Sequence, residues 1–378
     1  MGIKSEWTRR TYEKLLLRNI KNVLKHYKIA HKEIVRKRGR IYIKANNANE
    51  VTSKLTMVFG ISSVSPAIQT TSEMDKILQT SIELAEVTIK NESSFAVRCH
   101  RVGEHPYSSM DICKEVGKQI LTSLKDRNLQ VKLKSPQFTI NIEVRDDNAY
   151  IYSEIVQGPG GFPVGSQAKV VCLLSGGIDS AVACWLAMKR GCPIVPIYLD
   201  NRSFTDEKTT AKALDVAKKL LEWSIGFPRK VYVVPNGENL ETFVREGPRK
   251  LTCILCKRTM YRIAERLAEI EKAEGIVTGE AIGEQASQTM HNLRVLDEAA
   301  DKYPIHRPLL GFDKTETEAL AKKIGTFEIS IRKAKGCSAA PSKPSTKAKL
   351  EIVKKAEEKL DMEHMVAESV NAAKIVTV

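Results

Sequence analysis

Residues 170–180 read Val-Val-Cys-Leu-Leu-Ser-Gly-Gly-Ile-Asp-Ser, and residues 181–189 continue as Ala-Val-Ala-Cys-Trp-Leu-Ala-Met-Lys. An apolar run that breaks at Ser175-Gly176-Gly177 and resumes with helix formers predicts a buried strand, a tight turn and a helix. Two adjacent glycines allow backbone torsions that a Cβ would forbid, so successive N–H groups can converge on an anion at the positive end of that helix. Ser175 and Ser180 add hydroxyl groups. The Walker pattern Gly-x4-Gly-Lys-Ser/Thr is absent from the chain, which argues against a P-loop kinase or switch. The stretch therefore predicts a phosphate-cradling turn that serves nucleotide chemistry.

Working outward, apolar strands at 170–174, 194–199, 231–234 and 275–278 alternate with helical patterns near 179–190, 207–221 and 256–272. This alternation predicts an α/β domain with a doubly wound parallel sheet, its ligand at the carboxyl ends of the strands. Upstream, residues 8–28 have the spacing of an amphipathic helix with a basic outer face. Runs 33–36 and 40–44 flank Gly39 as a hairpin, and 46–58 reads as a second helix. Residues 72–89 and 108–124 read as helices, and 95–99, 138–144 and 149–155 as strands, which makes a separate α/β module. The Gly/Pro segment 157–165 reads as an interdomain linker. Its glycines precede a strand, so they are not a dinucleotide fingerprint. Three domains are expected, over 1–60, 61–165 and 166–378.

The 378 residues carry 60 Lys and Arg against 45 Asp and Glu, a net charge of +15, unevenly placed. Residues 1–60 hold fifteen basic side chains against four acidic ones. Such a field attracts polyanions in a salt-dependent way without reading their sequence. No stretch approaches the ~18 apolar residues of a membrane span, and residues 1–10 lack the apolar core of a secretory signal. The expectation is a cytoplasmic protein with no membrane partner. Eight cysteines in so long an intracellular chain point to metal or redox roles before disulfides.

Residues 278–289 read Thr-Gly-Glu-Ala-Ile-Gly-Glu-Gln-Ala-Ser-Gln-Thr, again after an expected strand. Further segments accompany it: Thr8-Arg9-Arg10, Val58-Phe59-Gly60-Ile61, Gly-Gly-Phe-Pro-Val-Gly at 160–165, Arg307-Pro308-Leu309-Leu310 with Asp313-Lys314, and Cys337-Ser338 leading to Ser345-Thr346-Lys347-Ala348. The Ser-Gly-Gly turn resembles the pyrophosphate loop of the PP-loop ATP pyrophosphatases. The whole set, in order, resembles the tRNA uridine 4-sulfurtransferases, or tRNA 4-thiouridine synthetases.

The resemblance implies a ferredoxin-like domain, a THUMP RNA-binding domain and a C-terminal PP-loop ATP pyrophosphatase domain. It implies that the first two hold the tRNA acceptor end. The third would use ATP to adenylate O4 of uridine 8, and a sulfur donor would then displace AMP to leave 4-thiouridine. Leu173, Leu174, Ser175, Gly176, Gly177, Asp179 and Ser180 match the pyrophosphate loop, with Asp179 placed to orient Mg²⁺. Tyr198 and Leu199 match the strand end that frames adenosine. Gly279 and Gln288 match nucleotide contacts, Lys257 a basic residue near the phosphate, and Lys314 a lysine that stabilises charge on the α-phosphate. Arg9, Arg10, Lys21, Arg98 and Arg101 are the expected tRNA contacts.

The chain departs from the better-known bacterial pattern in three places. Ala181 replaces a proline, and Glu284-Gln285 replaces a Gln-Val pair. Only about forty residues follow Cys337, too few for a sulfur-carrying rhodanese domain. Met1–Lys4 also stands where family members already have a first strand, which predicts a shortened sheet or a misassigned start.

Another sulfur route is then required. Cys253-Ile254-Leu255-Cys256 opens an expected helix, and Cys337 lies in the turn Gly336-Cys337-Ser338. Two thiolates at this spacing can face one metal, and a third can join them when the chain folds. A zinc site would draw on His291 or His306 as fourth ligand. Members of the family without a rhodanese domain imply a three-cysteine 4Fe-4S cluster, which leaves one iron open to sulfide. The rival is a persulfide on Cys337 resolved by Cys253 or Cys256. Cys99, Cys113, Cys172, Cys184 and Cys192 read as core residues. A non-catalytic tRNA-binding protein with a structural ATP site is the alternative from another class, and the sulfur donor and a homodimer stay open.

Overall fold

The computed structural model describes residues 5–37 and 39–378; Met1–Lys4, where the first strand was in question, and Arg38 lie outside the described residues. The chain divides into two compact units. The larger takes in the first helix together with Val58–Gly60 and Pro159–Val378, and the smaller Tyr27–Met57 and Ile61–Gly158.

The first helix, α1 (Glu6–His26), buries Tyr12, Leu16, Ile20, Val23 and Leu24 at helical spacing. Its Asn19 donates to the Val164 carbonyl, and its Tyr12 ring meets Phe162 edge-on.

In the smaller unit β1 (Glu33–Lys37) and β2 (Arg40–Lys44) pair antiparallel, followed by α2 (Ala48–Leu55), which Asn47 caps. Strand β3 (Ser63–Val64) pairs with β9 (Val156–Gln157). Between them β4 (Ile68–Thr71), β5 (Ser94–Val102), β6 (Gln130–Val131), β7 (Phe138–Arg145) and β8 (Asn148–Tyr152) form a five-stranded sheet in the order β4-β8-β7-β5-β6. Helices α3 (Met74–Thr88) and α4 (Ser109–Ser123) bury Ile77, Ile112, Val116 and Ile120 among Phe95, Ile140, Ile142 and Ile151 of its strands. Ser108 and Asp111 close a capping box at the start of α4.

In the larger unit β10 (Val170–Leu173), β11 (Ile194–Asp200), β12 (Lys230–Pro235), β13 (Ile276–Val277), β14 (Ile305–His306) and β15 (Lys374–Thr377) form one sheet in the order β14-β13-β10-β11-β12-β15. All pairs are parallel except β12 with β15, an antiparallel edge. Helix α5 (Ile178–Lys189) follows β10, α6 (Glu207–Leu221) follows β11, and α7 (Gly237–Glu246) and α8 (Thr252–Glu271) follow β12. Helices α9 (Met290–Asp297), α10 (Lys314–Ile324), α11 (Phe327–Ser330), α12 (Leu350–Glu357) and α13 (Met362–Asn371) complete the unit.

Helix α5 is buried nearly all round, and its Trp185 packs against Phe59 and Trp223 with ring centroids 5.2 and 5.5 Å away. The segment expected to be a linker is a packing element from Pro159 onward. A Cβ on Gly161 would lie 2.1 Å from the Lys189 carbonyl at the end of α5. No helix among the described residues is long and apolar enough to cross a membrane.

Candidate active site

Four loops leave the carboxyl ends of β10, β11, β12 and β13 on one edge of the parallel sheet, where open α/β sheets bind ligands. The first is the Ser-Gly-Gly turn. Leu174 is buried beneath it and Leu173 half-buried. Gly176 has φ +76°, and a Cβ there would lie 3.0 Å from the Ala213 backbone of α6, so the turn requires glycine on both counts. The Ser180 hydroxyl accepts from the Ser175 N–H and donates to the Gly177 carbonyl, both at 3.2 Å. The Ser175 hydroxyl accepts from the Gly177 N–H at 3.3 Å. The two serines thus brace the turn while Gly177 caps the start of α5, whose first-turn N–H groups have no intrahelical acceptor and so suit an anion.

The loop after β13 closes over that turn. A Cβ on Gly279 would lie 2.5 Å from the Ser180 nitrogen, so the two expected nucleotide motifs touch backbone to backbone. Gln288 is buried with its Oε1 left without a hydrogen-bond partner, an acceptor available to a ligand. Tyr198 and Leu199 are buried at the end of β11, and the Tyr198 hydroxyl meets Thr210 of α6 at 3.3 Å.

Lys314, the first residue of α10, reaches across to this place. Its Nζ donates to Asp179 Oδ1 at 2.6 Å and to Glu284 Oε2 at 3.1 Å. Partial burial lowers the pKa of this ammonium, but the hydrogen bonds to Asp179 and Glu284 outweigh it and the net shift is upward. Asp179, Lys314, Gly279 and the Ser-Gly-Gly turn are therefore brought together. Glu284 was not singled out from sequence as a site residue, although its place in the second motif was the available signal.

Lys257, expected near the phosphate, donates from its Nζ to Glu280 Oε1 at 2.8 Å, beside Gly279 of the second motif. Glu280 is buried, and its other oxygen accepts from Tyr261, from Arg307 at 2.9 Å and from Thr278 at 3.1 Å. Burial alone would raise the Glu280 pKa, yet the charge of Lys257 and these hydrogen bonds bring it down to about 2.

The three cysteines gather on the same edge of the sheet. Cys253 and Cys256 occupy the first turns of α8, and Cys337 sits in an exposed turn tied by Ser338 to the Phe204 carbonyl at 3.1 Å. Burial pushes the Cys256 thiol up to about 12, with smaller upward contributions from Cys337 and Cys253, and Cys253 is raised by burial and then by Cys337. All three are free thiols near enough to feel one another's charge. Among the described residues no three His, Cys, Asp or Glu side chains are arranged to hold one metal ion. Of the other cysteines, Cys172 and Cys184 are buried and Cys99, Cys113 and Cys192 half-buried.

The expected tRNA contacts fall on two elements. Arg9, Arg10 and Lys21 are exposed on α1, where Arg10 pairs with Glu6 at 2.6 Å and Arg9 with Glu13 at 3.8 Å. Arg98 and Arg101 lie on β5 of the smaller unit. Arg98 lines a groove of about 380 Å³ with Phe138, Asn141 and Ile155, while Arg101 donates to the Gly103 carbonyl at 2.9 Å.

A glycine turn at a strand-to-helix junction, closed by a second loop and supplied with a lysine, defines a nucleotide-handling α/β domain of the PP-loop class. Residues 165–362 match the family described as Thiamine biosynthesis protein (ThiI), residues 71–154 the THUMP domain, and residues 1–65 the ThiI ferredoxin-like domain. A Methanosarcina mazei protein named "Probable tRNA sulfurtransferase" is 39% identical over 381 residues, which cover 99% of this chain and 93% of that protein. A Methanothermobacter thermautotrophicus protein of the same name is 40% identical over 374 residues, covering 97% and 93%. A solved 4-thiouridine synthetase–RNA complex with bound ATP superposes with a TM-score of 0.89 at 33% identity, covering 100% of this chain and 96% of that one. The chain belongs to the ThiI family of tRNA sulfurtransferases, and is an enzyme built from ferredoxin-like, THUMP and PP-loop domains.

Proposed function

We propose that this enzyme uses ATP to convert uridine 8 of tRNA to 4-thiouridine in the cytoplasm, with divisions near residues 60 and 165 separating its three domains. The convergence of Lys314 and Asp179 on the Ser-Gly-Gly turn is the observation that carries this reading. The ATP and RNA in the solved relative's complex support it. In the first step O4 of the uridine attacks the α-phosphate of ATP, the α–β bond breaks, and pyrophosphate leaves. The turn's N–H groups hold the departing pyrophosphate and the Lys314 ammonium offsets charge on the α-phosphate. Asp179 would hold a Mg²⁺ ion, which would supply further charge neutralisation on the phosphates. In the second step a sulfur nucleophile attacks C4 and AMP leaves with the former O4. Leu173, Leu174, Tyr198, Leu199, Gly279 and Gln288 frame the nucleotide, and Lys257 acts through Glu280 beneath it.

For the sulfur, Cys253, Cys256 and Cys337 would hold a 4Fe-4S cluster. Three soft sulfur donors suit iron, and the mutual charge effects of the three cysteines support the assignment, while the side chains as placed do not form a ligand set. When bound, such a cluster would supply a site where sulfide is held as a nucleophile. The exposure of Cys337 beside the buried Cys256 favours, as the second reading, a persulfide carried on Cys337. Arg9, Arg10, Lys21, Arg98 and Arg101 would bind tRNA phosphates.

The test of the ATP site is Asp179→Ala. AMP formation from ATP in the presence of tRNA is expected to fall by about a hundredfold or more, with tRNA affinity nearly unchanged. Retained AMP formation would overturn the assignment.

A further inference from the structure

Lys314 sits where a cation is electrostatically out of place. It is the first residue of α10, behind a capping box formed by Asp313 and Glu316, and the positive end of a helix repels an ammonium. Two carboxylates from elsewhere in the fold offset this: Asp179 from the first turn of α5 at 2.6 Å and Glu284 from the loop after β13 at 3.1 Å. The side chains of Asp179 and Glu284 are 30% and 25% exposed, so both face the open edge of the site. Asp179 has a second source of stabilisation in the N-terminus of its own helix, whereas Glu284 lies in an irregular loop.

We propose that Glu284 is the positioning residue for Lys314: it keeps the ammonium over the phosphate turn after Asp179 has been taken up by the cation that accompanies the nucleotide. The inference rests on the adenylation reading of this site and goes beyond it. One ammonium shared by two carboxylates has a partner to lose. When a divalent cation engages Asp179, a lysine without Glu284 would have no carboxylate left to hold it among the described residues, and its flexible stem would let it leave the line of attack. The second carboxylate also opposes a polyanion, so it weakens ground-state binding of ATP while it orders the transition state.

Two measurements on Glu284→Gln test this. In tRNA-dependent AMP formation, kcat is expected to fall at least tenfold while KM for ATP stays level or drops. The loss should vanish when the substitution is made in a Lys314→Met background, because Glu284 acts through that lysine. A raised KM with unchanged kcat, or an undiminished loss in the Lys314→Met background, would overturn the proposal. The second readout needs no turnover. Acetic anhydride labelling of Lys314, followed by peptide mass spectrometry with the α,β-methylene analogue of ATP and Mg²⁺ present, should be at least fivefold faster in Glu284→Gln than in wild type. Equal labelling overturns the positioning role. Wild-type protein that forms no AMP counts against the adenylation reading, and the labelling arm then decides on Glu284 by itself.

Discussion

Glu280 illustrates what a residue's type and place in the chain leave unsaid. Its motif predicted a nucleotide contact nearby, yet its carboxylate is buried and held by Lys257, Tyr261, Arg307 and Thr278. A buried carboxylate with two cationic partners contributes through a depressed pKa, about 2 in place of the usual 4.5. The stabilisation is therefore fully present above pH 4.5 and is lost as pH falls through about 2. Glu280→Gln, which leaves Lys257 without its anion and Arg307 with Asp297 alone, is expected to lower stability at pH 7 by about 3–5 kcal/mol. The difference from wild type should shrink as pH falls below 4.5. Urea titrations at pH 7 and pH 3 check this, and an equal gap at both would show that the charge of Glu280 is not the cause. The turn residues were legible, because the left-handed φ of Gly176 and the bonds of Ser180 to Ser175 and Gly177 are local, although the approach of Gly176 to Ala213 is not. Lys257 with Glu280 and Lys314 with Asp179 were not, since those pairs exist only after the sheet has assembled.

At the scale of elements, the apolar strand, glycine turn and buried helix of β10 and α5 follow from a local pattern, and α6 matches its expected bounds of 207–221. Helix α8, expected from residue 256, begins at Thr252 because a short 3-10 turn over Arg249–Leu251 feeds it. Strand β15 was missed: it is a four-residue antiparallel edge with exposed Lys374 and Ile375, and no alternation marks it. The apolar face of α1 was legible from its spacing, but a helix's own sequence does not say which sheet it packs on. Its basic face carries the expectation of polyanion binding. Exposed pairs such as Arg10 with Glu6 contribute about 0–1 kcal/mol and leave the arginine free to exchange partners. Replacing Arg9, Arg10 and Lys21 by Gln should weaken tRNA binding and reduce the slope of log affinity against log salt by about 2–3. ATP binding should be unaffected. Filter binding over a range of salt concentrations checks it, and an unchanged slope would leave α1 as a solvated face only.

In the PP-loop domain, one edge of a single sheet carries both the phosphate turn and the three cysteines. The strand ends of β10 and β13 build the phosphate turn and its cover, while those of β11 and β12 lead to the loops around the cysteines. There Asn236 donates to Cys256 Sγ at 3.6 Å and Phe204 receives Ser338. The Ser175 turn and the cysteine loops share that edge because parallel strands deliver every following loop to the same side. Cys-x-x-Cys spacing made the pair on α8 legible, whereas the surrounding Asn236 and Phe204 carried no signal of their own. If activation and sulfur delivery are separate steps on this edge, they must separate under mutation. Alanine at Cys253, Cys256 or Cys337 leaves the turn, Asp179 and Lys314 intact, so AMP formation should stay within about twofold of wild type while thiolation is lost. Under the cluster reading each of the three variants, purified anaerobically, should also lose bound iron and acid-labile sulfide, because three ligands are the minimum that the chain offers. Under the persulfide reading iron is irrelevant and sulfur is found covalently on Cys337. Mass spectrometry of tRNA nucleosides, read beside an iron assay, tells the two apart. Wild-type rates of 4-thiouridine formation by metal-free protein would remove the cluster from the mechanism and leave Cys337 as the sulfur carrier.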